Sequence, residues 1–291
     1  MTYLQLAAHL FLLLFWARFW VKPKQAFYFN PFLSGTTRFI DGLIQFLRPA
    51  LRFPECLMPL VLLLLFWVFQ TIFFARFGDV WNMSFGGFYF SPPDESLSWG
   101  MQFAYSGLLS AQLLLGAWTL YVLTRLIARP NRTTRAQEAF AFFMAPFSWL
   151  PCLLQLLVVL MLHFGLVYAV IHIGAVPHIG QEERFTGGPL SDQFLKTGAL
   201  ALLSFSNGLD ILLYALFFFW AGAFSSWLLG NTFLMMICQE NIEVLVGRFK
   251  RNPSTITGGL DFSLLIFSIV VYHLANFVQS RLGNVILAPP L

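Results

Sequence analysis

Few side chains in this sequence could do chemistry, and they are scattered along it. One carboxylate, Asp261, follows a Gly-Gly pair at the start of an apolar run, in TITGGLDFSLLIFSIVVYHL. A carboxylate or hydroxyl at the first turn of a helix accepts hydrogen bonds from free backbone amides and complements the positive helix end. Asp261 and Ser263 could therefore simply begin a helix, with Gly258 and Gly259 in the tight turn before it.

The same turn could instead be a docking surface for a protein partner or a lipid headgroup. Basic residues precede it, and a second basic cluster lies early in the chain. Each cation near an anionic leaflet contributes about 1 kcal/mol to membrane binding, so these clusters could also be plain membrane anchors. Both interpretations stay open. The candidate docking or lipid-headgroup surface comprises Arg248, Lys250, Arg251, Gly258, Gly259, Asp261, Ser263, Arg48 and Arg52.

Patterns typical of catalysis or metal binding are missing from the sequence. His163 and His172 lie nine residues apart on one predicted helix, so they point to nearly opposite faces and cannot share a metal ion. The three cysteines lack CxxC spacing, and no metalloprotease, serine-hydrolase or phosphate-loop motif is present. We predict a non-enzymatic protein with no catalytic residue, no cofactor and no metal site.

The composition indicates that these residues lie in a membrane. Of 291 residues, 58% are hydrophobic and 10% are charged, against roughly a quarter charged in soluble domains. A helix crosses the bilayer core with about 20 residues, and six apolar runs are long enough to do so. The predicted spans are about 3–20, 57–75, 103–124, 151–173, 208–229 and 261–281. Residues 196–209 could extend the fifth span or form a separate helix.

The basic residues predict how the spans are oriented, because cytoplasmic loops retain Lys and Arg. Most of the 17 basic residues fall between spans one and two, three and four, or five and six. We therefore expect these loops inside and both termini outside. The net charge of +4 arises mostly in these loops, and it favours anionic lipid rather than nucleic acid as a partner.

Each inner loop contains an amphipathic stretch, which suggests internal repetition. In TRFIDGLIQFLR the apolar residues recur at helical spacing, opposite Arg38, Asp41, Gln45 and Arg48. Such helices lie in the membrane interface, here at about 37–48 and 232–250. The predicted fold is an all-α membrane protein of six transmembrane helices, arranged as three span/interfacial-helix/span hairpins in the same orientation. The hairpins occupy residues 1–76, 77–178 and 196–291, and their outer links are expected to be plain connectors.

Two segments suggest a family. RFKRNPSTITGGLDFSLLIFSIVVYHL resembles the signature of the YggT/YlmG membrane proteins, in which a basic, proline-containing segment leads to Gly-Gly-(Ile/Leu)-Asp-(Phe/Leu)-Ser and a final transmembrane helix. FYFNPFLSGTTRFIDGLIQFLRPALRFPECLMPLVLLLL is similar to the family's first repeat, although PECLMP replaces Gly-Gly-x-Asp there. The resemblance covers residues 1–75 and about 205–291, so the middle hairpin is extra to the usual four-span form.

The resemblance implies an organising or assembly role at the membrane, since family members are linked to cell division, osmotic stress tolerance, nucleoid organisation and haem attachment. The expected function is a scaffold that recruits a cytoplasmic or membrane partner through its basic inner face, with a homo-oligomer as a further expectation. The expected location is the bacterial inner (plasma) membrane, with a plastid membrane as the alternative. The alternative function is an osmolyte or ion pathway, which requires a polar cavity that reaches the bilayer midplane.

Overall fold

A computed structural model describes residues 3–20, 34–51, 53–54, 56–76, 82–86, 88–91, 98–127, 144, 147–173, 176–177, 190–246, 256–257 and 260–287. These residues are mostly helical. The α-helices are α1 (Tyr3–Trp20), α2 (Ser34–Leu51), α3 (Met58–Arg76), α4 (Trp99–Ile127), α5 (Cys152–His172), α6 (Leu190–Leu228), α7 (Thr232–Val246) and α8 (Phe262–Leu287), with a short 3-10 turn at Phe147–Trp149.

Four of the described helices, α3 to α6, are long and apolar enough to cross a membrane. Helix α3 shows why, because MPLVLLLLFWVFQTIFFAR has no charge before its last residue and only Gln70 and Thr71 interrupt its apolar sequence. A shorter apolar stretch, Ala7–Trp20, lies in α1. A mostly helical chain with four such helices fits an all-α membrane protein. The number of six spans, their orientation and the three-hairpin division stay predictions.

Helix α6 is longer than the fifth predicted span. It runs without a break from Leu190 to Leu228, so residues 196–209 extend this helix and do not form a separate one. Its 39 residues correspond to about 58 Å, nearly twice a bilayer core of about 30 Å. Gly208 lies inside the helix, where a Cβ atom would come within 2.3 Å of Thr119 Cγ2. Glycine at this position allows α4 and α6 to approach closely.

The links that were predicted to be outer contain a small, partly buried sheet, so the prediction of plain connectors was wrong for these residues. Strands β1 (Met83–Phe85), β2 (Phe88–Ser91) and β3 (Val176–Pro177) pair antiparallel in that order. Gly86 adopts a φ of 55° beside the Phe85–Phe88 pair, a conformation that glycine accepts without strain. The alternation of MSFGGFYFS around its two glycines is a hairpin signal that the sequence analysis overlooked.

Three apolar clusters hold the helices together. The largest joins the sheet to α4, α5 and α6 through side chains such as Phe85, Tyr105, Val167 and Leu200. A second cluster joins α4, α6 and α8 and contains Leu120, Leu212, Leu216, Phe267 and Val271. The third lies where α1, α2 and α3 meet, and it contains Phe15, Ile40, Ile44, Met58 and Leu62.

A buried histidine bridges α4, α5 and α6. His163 Nε2 lies 2.8 Å from Thr119 Oγ1, and His163 Nδ1 lies 2.8 Å from Ser204 Oγ. Thr119 donates its own hydroxyl proton to the Leu115 carbonyl, so Nε2 must donate to Thr119. A neutral imidazole then accepts the Ser204 proton at Nδ1. His172 is exposed at the end of α5, and the expectation that the two histidines face opposite ways is confirmed.

A second polar bridge joins α1, α3 and α4. His9 Nδ1 lies 2.8 Å from Ser110 Oγ, and Gln70 Nε2 donates to Ser106 Oγ at 3.2 Å. All four side chains are buried or partly buried. His9 and Gln70 therefore bind neighbouring helices. These bonds fix how the first predicted hairpin packs against α4.

Candidate functional site

Helix α2 positions Arg48, a member of the predicted docking surface whose side chain the structure describes. Its sequence, SGTTRFIDGLIQFLRPAL, divides the helix into faces, because residues three and four apart lie on the same side. Pro49 lies inside this helix, in its last turn. Thr37, Ile40 and Ile44 are buried on one face. Ile40 and Ile44 belong to the cluster that α1 and α3 complete.

Two phenylalanines form a second face that points away from the protein. Phe39 is 57% exposed and Phe46 is 77% exposed. Phe39 was predicted to share the apolar face of Ile40 and Ile44, but in the structure it is exposed and they are buried. A large apolar side chain that is exposed beside the ends of apolar helices could lie at the boundary between headgroups and acyl chains, or it could contact an apolar partner.

The third face is polar and exposed, and it carries Arg38, Gln45 and Arg48. It lies beside the phenylalanines, so that cations and rings are presented together. We call the exposed side chains Arg38, Phe39, Gln45, Phe46 and Arg48 the α2 platform. Its chemistry suits an anionic headgroup or an acidic partner with an apolar portion.

A partly buried ion pair holds α2 against the first helix. Arg18 Nε, in the last turn of α1, lies 2.7 Å from Asp41 Oδ1 on α2, and the side chains are 7% and 22% exposed. Charge-assisted hydrogen bonds are short and directional, so this contact fixes the rotation of α2 as well as its position. Apolar packing of Ile40 and Ile44 would leave that rotation less defined.

The pairing of Arg18 with Asp41 was not predicted from the sequence. Asp41 was placed on the polar outer face of the amphipathic helix, and Arg18 lies near the end of the first predicted span. The structure turns Asp41 toward α1 instead. A charge just after an apolar span and an opposite charge in the following amphipathic helix were both visible, but a separation of 23 residues leaves no periodic signal.

The other predicted site residues are only partly described. Arg48 is exposed on the platform, and its neighbour Arg52 lies outside the described residues. Asp261 ends strand β5 (Leu260–Asp261), which pairs with β4 (Ile256–Thr257), and α8 begins at the next residue. Asp261 thus precedes the helix, where a capping residue stands, and Ser263 lies in the first turn. The residues Arg248, Lys250, Arg251, Gly258 and Gly259 lie outside the described residues.

Helix α7, the predicted counterpart of α2, is held differently. It follows α6 after a turn in which Gly230 has a φ of 66°, and Asn231 Oδ1 accepts a hydrogen bond from the Leu234 amide. The helix packs against α6 with Cys238 buried beside Gly222, where a Cβ atom would lie 2.9 Å from Cys238 Sγ. Burial raises the pKa of the Cys238 thiol. Close packing on Gly222 therefore holds α7, whereas the ion pair of Arg18 and Asp41 holds α2.

Comparison with known proteins identifies no relative: no protein-family model, no curated protein and no solved structure matches this chain. The resemblance to the YggT/YlmG proteins therefore stays a prediction that rests on the two segments quoted above.

Proposed function

We propose that this chain is a non-enzymatic integral membrane protein of YggT type, which organises other membrane components by recruiting a partner to its basic inner face. The proposed location is the bacterial inner (plasma) membrane, with anionic headgroups as lipid partners. The observation that carries this proposal is the α2 platform, whose basic and aromatic side chains stay exposed on an amphipathic helix that a partly buried ion pair fixes.

The fixed rotation of α2 supports recruitment rather than simple anchoring. A helix that only lies on a lipid surface needs one apolar and one polar face. Helix α2 has a third face, which packs on α1 and α3 through Ile40 and Ile44. Because Arg18 and Asp41 set the angle of that face, the platform presents one defined surface, which lowers the entropy lost when a partner binds.

The buried polar groups in the described helices give less support to an osmolyte or ion pathway. Thr119, His163 and Ser204 hydrogen-bond to one another across three helices, as polar residues do when they hold membrane helices together. Of the described cavities, the two beside α1 and α3 are lined mainly by apolar side chains, and the one between α6 and α8 contains a single carboxylate, Asp210. A conduction path needs polar groups that face a continuous cavity.

Photo-crosslinking in native membranes tests the proposal. A photoreactive residue replaces Gln45, at the centre of the platform, in the wild-type background and in two variants. Arg38→Glu with Arg48→Glu reverses the basic charge, whereas Arg38→Lys with Arg48→Lys preserves it. The proposal predicts a defined crosslinked protein with wild type and the lysine variant, and its loss with the glutamate variant at equal expression and membrane insertion.

Crosslinks that are the same for all three proteins, or that join only lipid, contradict recruitment through α2. A second pair of variants, Asp261→Asn with Arg251→Ala against wild type, asks whether the C-terminal turn shares the surface. Loss of the same crosslinked protein would make Asp261 part of it. An unchanged product would leave Asp261 as a helix start.

A further inference from the structure

A groove lies between α6 and α8, away from the α2 platform. Its volume is about 500 Å³, and it opens on the side of the helices. That volume falls within the range of small-molecule sites. Helix α6 supplies one wall and α8 the other. The groove lies in apolar segments, so a molecule dissolved in the bilayer could enter it sideways.

Aromatic side chains line both walls of this groove. Tyr214, Phe217 and Trp220 come from α6, and Tyr272 comes from α8. Tyr214 and Phe217 are 76% and 69% exposed, so their rings are available to a ligand. The faces of aromatic rings carry partial negative charge and attract cations, most strongly when the site excludes water.

One carboxylate lies in the same groove. Asp210 Oδ2 accepts a hydrogen bond of 2.7 Å from Gln279 Nε2, which reaches across from α8. Gln279 is a neutral amide, so it orients the carboxylate without cancelling its charge. An ionisable residue among membrane helices is costly, and such residues commonly mark a functional site.

Asp210 differs from two other aspartates that the structure describes in the charge of the side chain that binds it. Asp41 pairs with Arg18, and Asp192 pairs with Lys196 at 2.8 Å. Among the described side chains, none with a positive charge pairs with Asp210. A positively charged ligand could form with Asp210 the kind of ion pair that Arg18 and Lys196 form with the other two aspartates.

We propose that the α6–α8 groove binds a lipophilic organic cation, in which a positively charged nitrogen or phosphorus centre lies near Asp210 and an apolar body lies against the aromatic rings. The charge of Asp210 and the aromatic walls together favour this occupant over a neutral acyl chain. The proposal does not depend on the α2 platform, which lies on other helices.

Binding of radiolabelled tetraphenylphosphonium to the purified protein in lipid nanodiscs tests this site. Tetraphenylborate, which has the same shape and the opposite charge, is the matched ligand. We expect saturable phosphonium binding at one site per chain and at least tenfold weaker binding of the borate. Equal binding of the two ions would show an apolar groove without charge selection, and the absence of saturable phosphonium binding would equally overturn the proposal.

Two variants locate the site, and a third is the control. Asp210→Asn retains an oxygen that can accept from Gln279 but removes the charge, and we expect phosphonium binding at least tenfold weaker. Phe217→Ala removes one lining ring, and we expect binding about threefold weaker. Phe218→Ala alters a neighbouring ring that does not line the groove, and binding should stay within twofold of wild type.

Unchanged binding in both Asp210→Asn and Phe217→Ala would place the phosphonium elsewhere and overturn the assignment. If Asp210→Asn does not fold, the comparison of Phe217→Ala with Phe218→Ala still decides, because equal affinities for those two variants would contradict the site. The crosslink at α2 should persist in Asp210→Asn. Failure of the groove proposal can thus be told apart from failure of the proposed recruitment.

Discussion

Helices α2 and α7 occupy equivalent places in the predicted repeat, since each follows one apolar helix and precedes another, but they are held by different forces. Helix α2 is fixed to α1 by the ion pair of Arg18 and Asp41. Helix α7 packs on α6 where Gly222 leaves room for Cys238. Helices with the same sequence pattern can thus be held in different ways. An ion pair sets the rotation of α2 about its axis, whereas close packing sets the distance between α7 and α6.

Removing one member of the ion pair should have the largest effect. Arg18→Ala leaves Asp41 as a partly buried charge without this partner, so the loss of folding free energy should approach the cost of breaking a fully buried pair, about 3–5 kcal/mol. The free energy of unfolding in mixed micelles, with hydrogen exchange of the α2 amides, measures the effect. The double variant Arg18→Met with Asp41→Leu should recover most of the stability. A cost for Arg18→Ala no greater than for the exposed control Gln45→Ala would show that packing alone holds α2.

Filling the glycine contact should have the next largest effect, and it should be confined to α7. Gly222→Ala places a methyl group against Cys238 Sγ, and overpacking of this kind costs about 1–3 kcal/mol. Adding Cys238→Ala should relieve the crowding.

The matched control is Gly42→Ala in α2, where an added Cβ atom meets nothing within 4 Å. It should stabilise the protein by about 0.5–1 kcal/mol, because alanine favours a helix over glycine. Equal effects of the two glycine substitutions on the unfolding free energy would contradict the difference drawn between α2 and α7.

The polar bridges of the two halves should contribute less. Ser110→Ala removes a partner of His9 in the N-terminal half, and Ser204→Ala removes a partner of His163. Hydrogen bonds between membrane helices contribute about 0.6 kcal/mol on average and at most about 1.7. We expect a loss in that range for each variant in the same unfolding assay. A loss above about 3 kcal/mol would mean that a bridge, rather than the ion pair or the glycine, determines the packing of its half.

Thiol reactivity should distinguish the two helices without changing stability. Cys56, which precedes α3 near the end of α2, is exposed, whereas Cys238 of α7 is buried. The thiolate is the reactive form, and burial raises the pKa of the Cys238 thiol, so less thiolate is present at neutral pH. Maleimide should label Cys56 first, and the rate at Cys238 should increase with pH. Faster labelling of Cys238 would show that α7 is not packed on α6 as described.

The local parts of the fold could be predicted from the sequence, and the long-range contacts could not. Apolar runs such as MPLVLLLLFWVFQ predicted a helix at α3, and the spacing of TRFIDGLIQFLR predicted the amphipathic α2, because helix periodicity is a property of neighbouring residues. The pairing of Arg18 with Asp41 and of Asp210 with Gln279 depends on how distant helices pack. The strand β2 was overlooked because a short run between a Gly-Gly and a Pro-Pro pair resembles a loop until its partner strands are known.

The proposed recruitment depends above all on α2 lying at the inner face of the membrane, and labelling from each side tests this directly. In protein freed of native thiols by Cys56→Ser, Cys152→Ala and Cys238→Ala, a single cysteine is introduced by Gln45→Cys on α2 or by Tyr89→Cys on β2, where both native side chains are exposed. We predict that a membrane-impermeant maleimide reaches Gln45→Cys only from the inner side of sealed vesicles, and Tyr89→Cys only from the outer side. Labelling of Gln45→Cys from the outer side would contradict the proposed recruitment, because the α2 platform would then face away from the cytoplasm.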